Sequence, residues 1–153
     1  MSVALTIGID GRSLVGSPTG VGRYVGNLVR AMAAIDPDVR LRLYTPAGRI
    51  AGAGPEAPAA APGVETRVLG TLLARNVFTW NHLRLPLQLI AHPVDLFHGT
   101  FYTLPAFCPA PAVVTIHDIT FHLHPEWYTR KARIAFNGFA AASARKARHI
   151  ITV

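Results

Sequence analysis

Short apolar runs alternate along this chain with stretches of helical periodicity, and that alternation leaves few folds open. Ala4 to Ile9 reads as a buried strand, closed by Asp10-Gly11 and a loop holding Gly16, Pro18 and Gly20. After it, Val21, Val25, Leu28, Val29 and Met32 recur at helical spacing. This helix should stop before Asp36-Pro37, because a residue preceding proline is pushed out of helical geometry. Arg40 to Tyr44 alternates polar and apolar, as a half-exposed strand does, and Val64 to Leu69 gives a third strand. Between them Ala47 to Gly63, rich in Ala, Gly and Pro, reads as a surface loop of low order. Asn76 to His92 has helical spacing interrupted by Pro86, which predicts a kinked helix or two short ones. Val94 to His98 and Ala112 to Ile116 are two further strands. Thr129 to Arg148 reads as a long helix burying Ile134, Phe136, Phe139, Ala140 and Ala144, and His149 to Val153 begins another strand. Strands and helices in this order predict an α/β fold, a doubly wound parallel sheet.

A chain of 153 residues has room for one domain with a substantial core. Half of it is hydrophobic and 15% is charged, which excludes a disordered polyelectrolyte. No apolar stretch approaches the roughly 20 residues needed to span a bilayer. Met1 to Leu5 lacks the basic region and cleavage site of a secretory signal. A single cysteine, Cys108, makes no internal disulfide, so a reducing cytoplasm is the natural compartment. The chain stops inside the apolar run Ile150 to Val153, which resembles a central strand. A terminal carboxylate near a core is disfavoured, so the sequence is expected to be cut rather than finished.

The formal charge is +7, and Lys131 and Lys146 are the only lysines. Much of the excess is gathered in Arg130, Lys131, Arg133, Arg145, Lys146 and Arg148. Two readings stand: a solvated helix face, or contact of helix 130–148 with an anionic surface, phospholipid headgroups or a polyanion. No nucleic-acid-binding motif accompanies the charge.

Two segments carry chemistry. In Thr19-Gly20-Val21-Gly22-Arg23-Tyr24, Gly20 and Gly22 let the backbone turn tightly, and a helix starting near Val21 offers unpaired amides to an anion. Simple turn chemistry is the alternative. The loop is neither a complete G-x-G-x-x-G fingerprint nor a Walker loop. The second segment, His117-Asp118, leaves the strand Val113 to Ile116. There an imidazole can bond a substrate hydroxyl or phosphate, and Asp118 can fix the loop or touch substrate; a hydrogen-bonded structural histidine is the other reading. Loops beyond the carboxyl ends of parallel strands line the ligand crevice, so both segments should face one cleft. His98-Gly99-Thr100 also follows a strand and reads as a turn that can line the same cleft. His122 and His124 lack a second ligand cluster, so no metal site is expected. Cys108, Ser13 and Ser17 show no nucleophile context.

Taken together, these segments resemble the retaining glycosyltransferases of family 4, which have the GT-B fold. The matching pieces are Gly8 to Arg12, Thr19 to Tyr24, Asp95 to His98, Val114 to Asp118, Pro125-Glu126-Trp127 and Ala147 to Val153. They span essentially the whole chain in the expected order, and the set is closest to the mannosyltransferase-like bacterial branch. The resemblance implies that residues 1–153 are the N-terminal, acceptor-side, Rossmann-like domain of a two-domain enzyme. The C-terminal domain, with the acidic E-x7-E signature and most of the nucleotide-sugar site, is absent from it. It implies transfer of a hexose such as mannose from a nucleotide-sugar, a GDP- or UDP-hexose, to a glycan or glycolipid acceptor. The fragment alone is expected to be inactive. No cofactor and no metal are implied. By position, Gly20, Val21 and Gly22 form the loop that closes over the donor diphosphate. His117 is the cleft histidine on the transferred sugar, with Asp118 beside it, and Arg23 contacts phosphate or acceptor. A cytoplasmic location follows, peripheral at the inner face of the membrane if the basic helix engages lipid.

A non-catalytic phosphate- or membrane-surface-binding α/β module is the rival reading, since it explains the loop and the basic helix without a second domain. A Rossmann dehydrogenase is disfavoured, because the third glycine is not at fingerprint spacing and no acidic residue ends a second strand.

Overall fold

The computed structural model describes residues 4–17, 19–48, 50, 57–70 and 77–153. Pro18, Asn76 and residues 51–56, which belong to expected loops and a helix start, lie outside them. Six strands form one parallel sheet: β1 (Thr6–Asp10), β2 (Arg40–Pro46), β3 (Val64–Leu69), β4 (Leu96–Gly99), β5 (Ala112–Ile116) and β6 (His149–Thr152). The spatial order is β3-β2-β1-β4-β5-β6. The chain therefore winds outward from β1 in one direction, then returns to lay β4 on its other side. Crossovers leaving β1 and β4 diverge, and the gap between them at their carboxyl ends is where a ligand enters a doubly wound sheet.

Each face of the sheet is covered, as an all-parallel sheet requires. Ile7, Ile9, Leu41 and Leu43 project toward α1 (Gly20–Ile35), whose Val25 and Val29 are fully buried against them. The opposite face carries Tyr44, Phe97 and Val114 under Trp80, Leu85 and Leu89. α1 starts one residue before Val21 and ends at Ile35, with Asp36 in extended geometry ahead of Pro37. The predicted break at Pro86 is real and takes a defined form. α2 (Val77–Thr79) runs into a π-helical stretch, Trp80–Arg84, and then α3 (Leu85–Ala91). The Leu85 amide reaches back to the Trp80 carbonyl, so the turn is widened just before Pro86, a residue with no N–H to continue the ladder. Among the described residues no helix is long and apolar enough to cross a membrane.

Three expectations need correction. Within the loop expected to have low order, Pro58–Ala60 form a 3₁₀ turn, with Ala57 and Pro58 buried and Pro58 close to Gly26 of α1. The strand β6 is not central but closes one edge of the sheet, and all of its residues are exposed. In α5 (Arg130–Lys146), Ile134 is 60% exposed rather than buried. The helix packs through Ala140 and Ser143, with Phe136 partly buried on the same stripe, while Phe139 and Ala144 are half-buried. Ile134 lies two residues before Phe136 and so falls on the far side of the helix. Two short elements follow β5 unforeseen: α4 (Thr120–Leu123) and a 3₁₀ turn, Pro125–Trp127.

Candidate active-site cleft

A cleft of about 340 Å³ opens at the carboxyl end of β1, lined by Asp10, Arg12, Ser13, Val15, Thr19, Val21, Thr100 and Phe101. Its floor is a buried ion pair. Asp10, the last residue of β1, is 1% exposed, and its carboxylate accepts the Arg12 Nε at 2.9 and 3.1 Å and Nη2 at 2.8 Å. Nη2 also donates to Thr103 Oγ1 at 3.0 Å, and the Thr100 hydroxyl donates to the Asp10 carbonyl at 2.7 Å. A planar guanidinium held on two sides in this way is fixed before any ligand arrives. Its Nη1 has no partner among the described residues.

The glycine loop supplies the wall. Thr19 caps α1 by accepting the Gly22 amide at 3.0 Å, and the Arg23 amide bonds the Thr19 carbonyl at 2.9 Å. The amides of Gly20 and Val21 at the helix start have no partner among the described residues. A helix N-terminus with free N–H groups favours an anion through both hydrogen bonding and the macrodipole. The two glycines serve different ends. A Cβ on Gly22 would lie 2.4 Å from the Ser13 carbonyl oxygen, so only glycine lets the helix rest on the Arg12–Leu14 turn. A Cβ on Gly20 would meet nothing within 4 Å. Arg23 is exposed and lies outside the lining of the cleft.

His117 stands one residue past β5, beside Tyr24 of α1, and like Gly20, Gly22 and Asp118 it lies outside the lining of the cleft. Its ring meets Tyr24 of α1 edge-on, with centroids 5.0 Å apart. Its Nε2 faces the Thr100 carbonyl at 2.9 Å and therefore donates, which fixes the tautomer of the neutral ring and leaves Nδ1 as a lone-pair acceptor. Nδ1 has no partner among the described residues. Asp118 is held more tightly. One of its oxygens accepts the Thr120 amide and hydroxyl at 2.9 and 2.6 Å, and the other accepts the Tyr102 hydroxyl at 2.7 Å. The Thr120 bonds first, and the Tyr102 bond next, hold its carboxyl below the ordinary carboxylate range. Burial, and then the bond and charge of Asp118, hold the Tyr102 phenol above its usual range.

Behind this layer runs a buried polar chain. The Tyr24 hydroxyl lies 3.1 Å from Thr115 Oγ1, which lies 2.8 Å from His98 Nε2. Burial pushes His98 down to about 4, against the pull of Asp10 and with a smaller contribution from His117. His98 is thus a neutral interior histidine that links β4 to β5. Its neighbour Thr100 lines the cleft. His122 and His124 take separate partners, Asn137 and Glu126, and no cluster of three metal-ligating side chains occurs among the described residues.

A family model described as Glycosyltransferase Family 4 matches residues 18–153. The chain belongs to glycosyltransferase family 4. No curated protein and no solved structure matches it significantly. The family 4 match takes in the capped helix start, the strand β5 and His117-Asp118, while Asp10 and Arg12 precede the matched span. Sequence reasoning singled out the glycines and the His-Asp pair through their position after strands. It assigned no role to the Asp10–Arg12 pair, to Phe101 or to Tyr102. Tyr102 is a non-glycine residue with φ of 56°, a strained geometry held by its amide bond to the Thr115 carbonyl at 3.0 Å. Its local sequence carries no sign of either feature.

Proposed function

We propose that this family 4 domain is the acceptor-side half of a retaining GT-B hexosyltransferase. In this reading it moves a hexose such as mannose from a GDP- or UDP-hexose to a glycan or glycolipid. A second Rossmann-like domain closes the cleft and holds most of the nucleotide-sugar. The observation that carries the reading is that Val21, whose helix-start amide is free, and the fixed Arg12 guanidinium line one cleft, with the free Gly20 amide next to Val21 in the chain. Those groups suit the donor diphosphate, whose charge grows as the sugar leaves. Gly22 keeps the loop low enough to reach it, and Arg23 approaches phosphate or acceptor from the rim. His117, with its proton directed at Thr100, uses Nδ1 to accept a hydroxyl of the transferred sugar. Asp118 acts as a positioning residue, tying the loop after β5 to Tyr102. Catalysis on this face is then orientation and charge stabilisation rather than attack by an enzymic nucleophile.

Amide chemical shifts test this directly. Titration with UDP, GDP or pyrophosphate should move the Gly20 and Val21 amides first, and Arg12→Met should weaken the response. Shifts confined to other regions, or none at saturating diphosphate, would contradict the assignment.

A further inference from the structure

The cleft that holds the Asp10–Arg12 pair is also lined by Val15, Val21 and Phe101. Phe101 is the aromatic member of that lining, and a diphosphate alone has no use for its ring. It also joins the cleft to His117: the two ring centroids lie 6.3 Å apart, and His117 Nε2 donates to the carbonyl of the neighbouring Thr100 at 2.9 Å.

The backbone on both sides of Phe101 is fixed. Thr100 donates to the Asp10 carbonyl at 2.7 Å, and Tyr102, in the left-handed region at φ 56°, is tied to the Thr115 carbonyl at 3.0 Å. A Cβ on Gly99 would lie 2.4 Å from the Thr103 carbonyl oxygen, so the turn closes as tightly as glycine allows. Strain of this kind persists where the surroundings over-determine it, and it gathers at ligand sites. The Thr103 hydroxyl donates to the Phe101 carbonyl at 3.1 Å and accepts Arg12 Nη2 at 3.0 Å. One hydroxyl thus holds the aromatic residue and the cation at a set spacing. Ser13, also in the lining, has a buried hydroxyl with no partner among the described residues.

We infer that Phe101 is a specificity-determining residue: its ring carries the apolar C–H face of a pyranose, in a site for a hexose 1-phosphate whose phosphate meets Arg12 and the Val21 amide. The inference rests on the diphosphate reading of the cleft and adds the sugar ring to it. A pyranose bears hydroxyls around its rim and C–H groups on its face, which suits the electron-rich face of an aromatic ring. The cleft volume of about 340 Å³ lies at the small end of ligand sites, and so matches a sugar phosphate better than a whole nucleotide-sugar. A lipid chain would use the apolar lining and leave Arg12 idle, and a bare phosphate would leave Phe101 idle.

The 153-residue chain is titrated with mannose 1-phosphate, mannose 6-phosphate and inorganic phosphate while the Val21 amide is followed by NMR. Saturation transfer from aromatic protons to the sugar is read in parallel, and needs no variant. The inference expects mannose 1-phosphate to bind more tightly than the other two, with transfer to its ring C–H protons. Phe101→Leu should weaken that binding roughly twofold to tenfold, the factor for an aromatic contact, and leave inorganic phosphate unchanged. Phe101→Tyr, which keeps the ring, should retain the parent affinity. Mannose 1-phosphate binding no tighter than inorganic phosphate, or without saturation transfer, would overturn the inference and leave the diphosphate reading standing. A preference for mannose 6-phosphate would overturn it too, since that marks a phosphate on an acceptor sugar. Equal losses of both probes in Phe101→Leu would return Phe101 to the scaffold and overturn it likewise. No Val21 shift with any probe would overturn the diphosphate reading and this inference together.

Discussion

Acidification should destabilise this protein through His98, and the size of the effect follows from where that ring sits. His98 is 4% exposed, held between β4 and β5 by its bond to Thr115, and its affinity for a proton is lowered from 6.5 to about 4. Desolvation is the leading cause, and Asp10 offsets it only in part. Because the folded value is depressed, the folded and unfolded states are both neutral above the unfolded value, and no proton-linked cost exists there. As pH falls through the window from 6.5 toward 4, the unfolded chain takes up a proton that the folded chain refuses, and stability is lost. Between about pH 7 and about pH 5 the loss works out at about 2 kcal/mol from this one group. Urea unfolding at a series of pH values measures it. His98→Gln keeps an amide within reach of Thr115 but cannot titrate, so its stability should fall by about 2 kcal/mol less over the same interval. Equal pH slopes in the two proteins would refute the reasoning and place the acid sensitivity elsewhere.

Two further outcomes follow from the cleft. Gly22→Ala puts a carbon 2.4 Å from a backbone oxygen and should destabilise by about 1–3 kcal/mol, whereas Gly20→Ala, with nothing within 4 Å, should fold as well as the parent. Denaturant titration of the pair decides, and equal effects would contradict the assigned difference. Arg12→Ala leaves the Asp10 carboxylate buried without its cation and should cost about 3–5 kcal/mol. Arg12→Met with Asp10→Asn should recover much of this, and no recovery would mean that the guanidinium matters chiefly to Thr103.

The strands β1, β4 and β5 were legible because inner parallel strands are buried on both faces and so appear as apolar runs, whereas β2 showed as a polar-apolar alternation and β6 as an apolar run although its residues are exposed. Ala112 to Ile116 matches β5 residue for residue, while β1 and β4 each extend one residue past the apolar run, to Asp10 and Gly99. The glycine loop and His117 were legible for a related reason: a strand's end fixes where the following residues lie. Helix phase was read less well. Ile134 is apolar and helical, yet what faces inward depends on Phe136, Ala140 and Ser143 meeting the loop after β4, where Ser143 accepts the Leu104 amide at 2.9 Å. Long-range partners were illegible altogether. Arg12 reaches Thr103, and Tyr102 reaches Asp118, through contacts 91 and 16 residues apart that no local spacing encodes. The same holds for Tyr24 and His117, whose ring contact joins α1 to the end of β5.

The central claim is that His117 acts on the reacting sugar through Nδ1 while Thr100 holds its other nitrogen. It is tested most directly by measuring kcat, KM and thermal midpoint together for His117→Ala in an active enzyme carrying this domain. Loss of one neutral hydrogen bond, worth about 0.5–1.5 kcal/mol and strengthening in the transition state, predicts a fall in kcat of roughly threefold to tenfold, with donor KM little changed. Normal activity per folded molecule, with only a lowered thermal midpoint, would contradict the claim and return His117 to the scaffold.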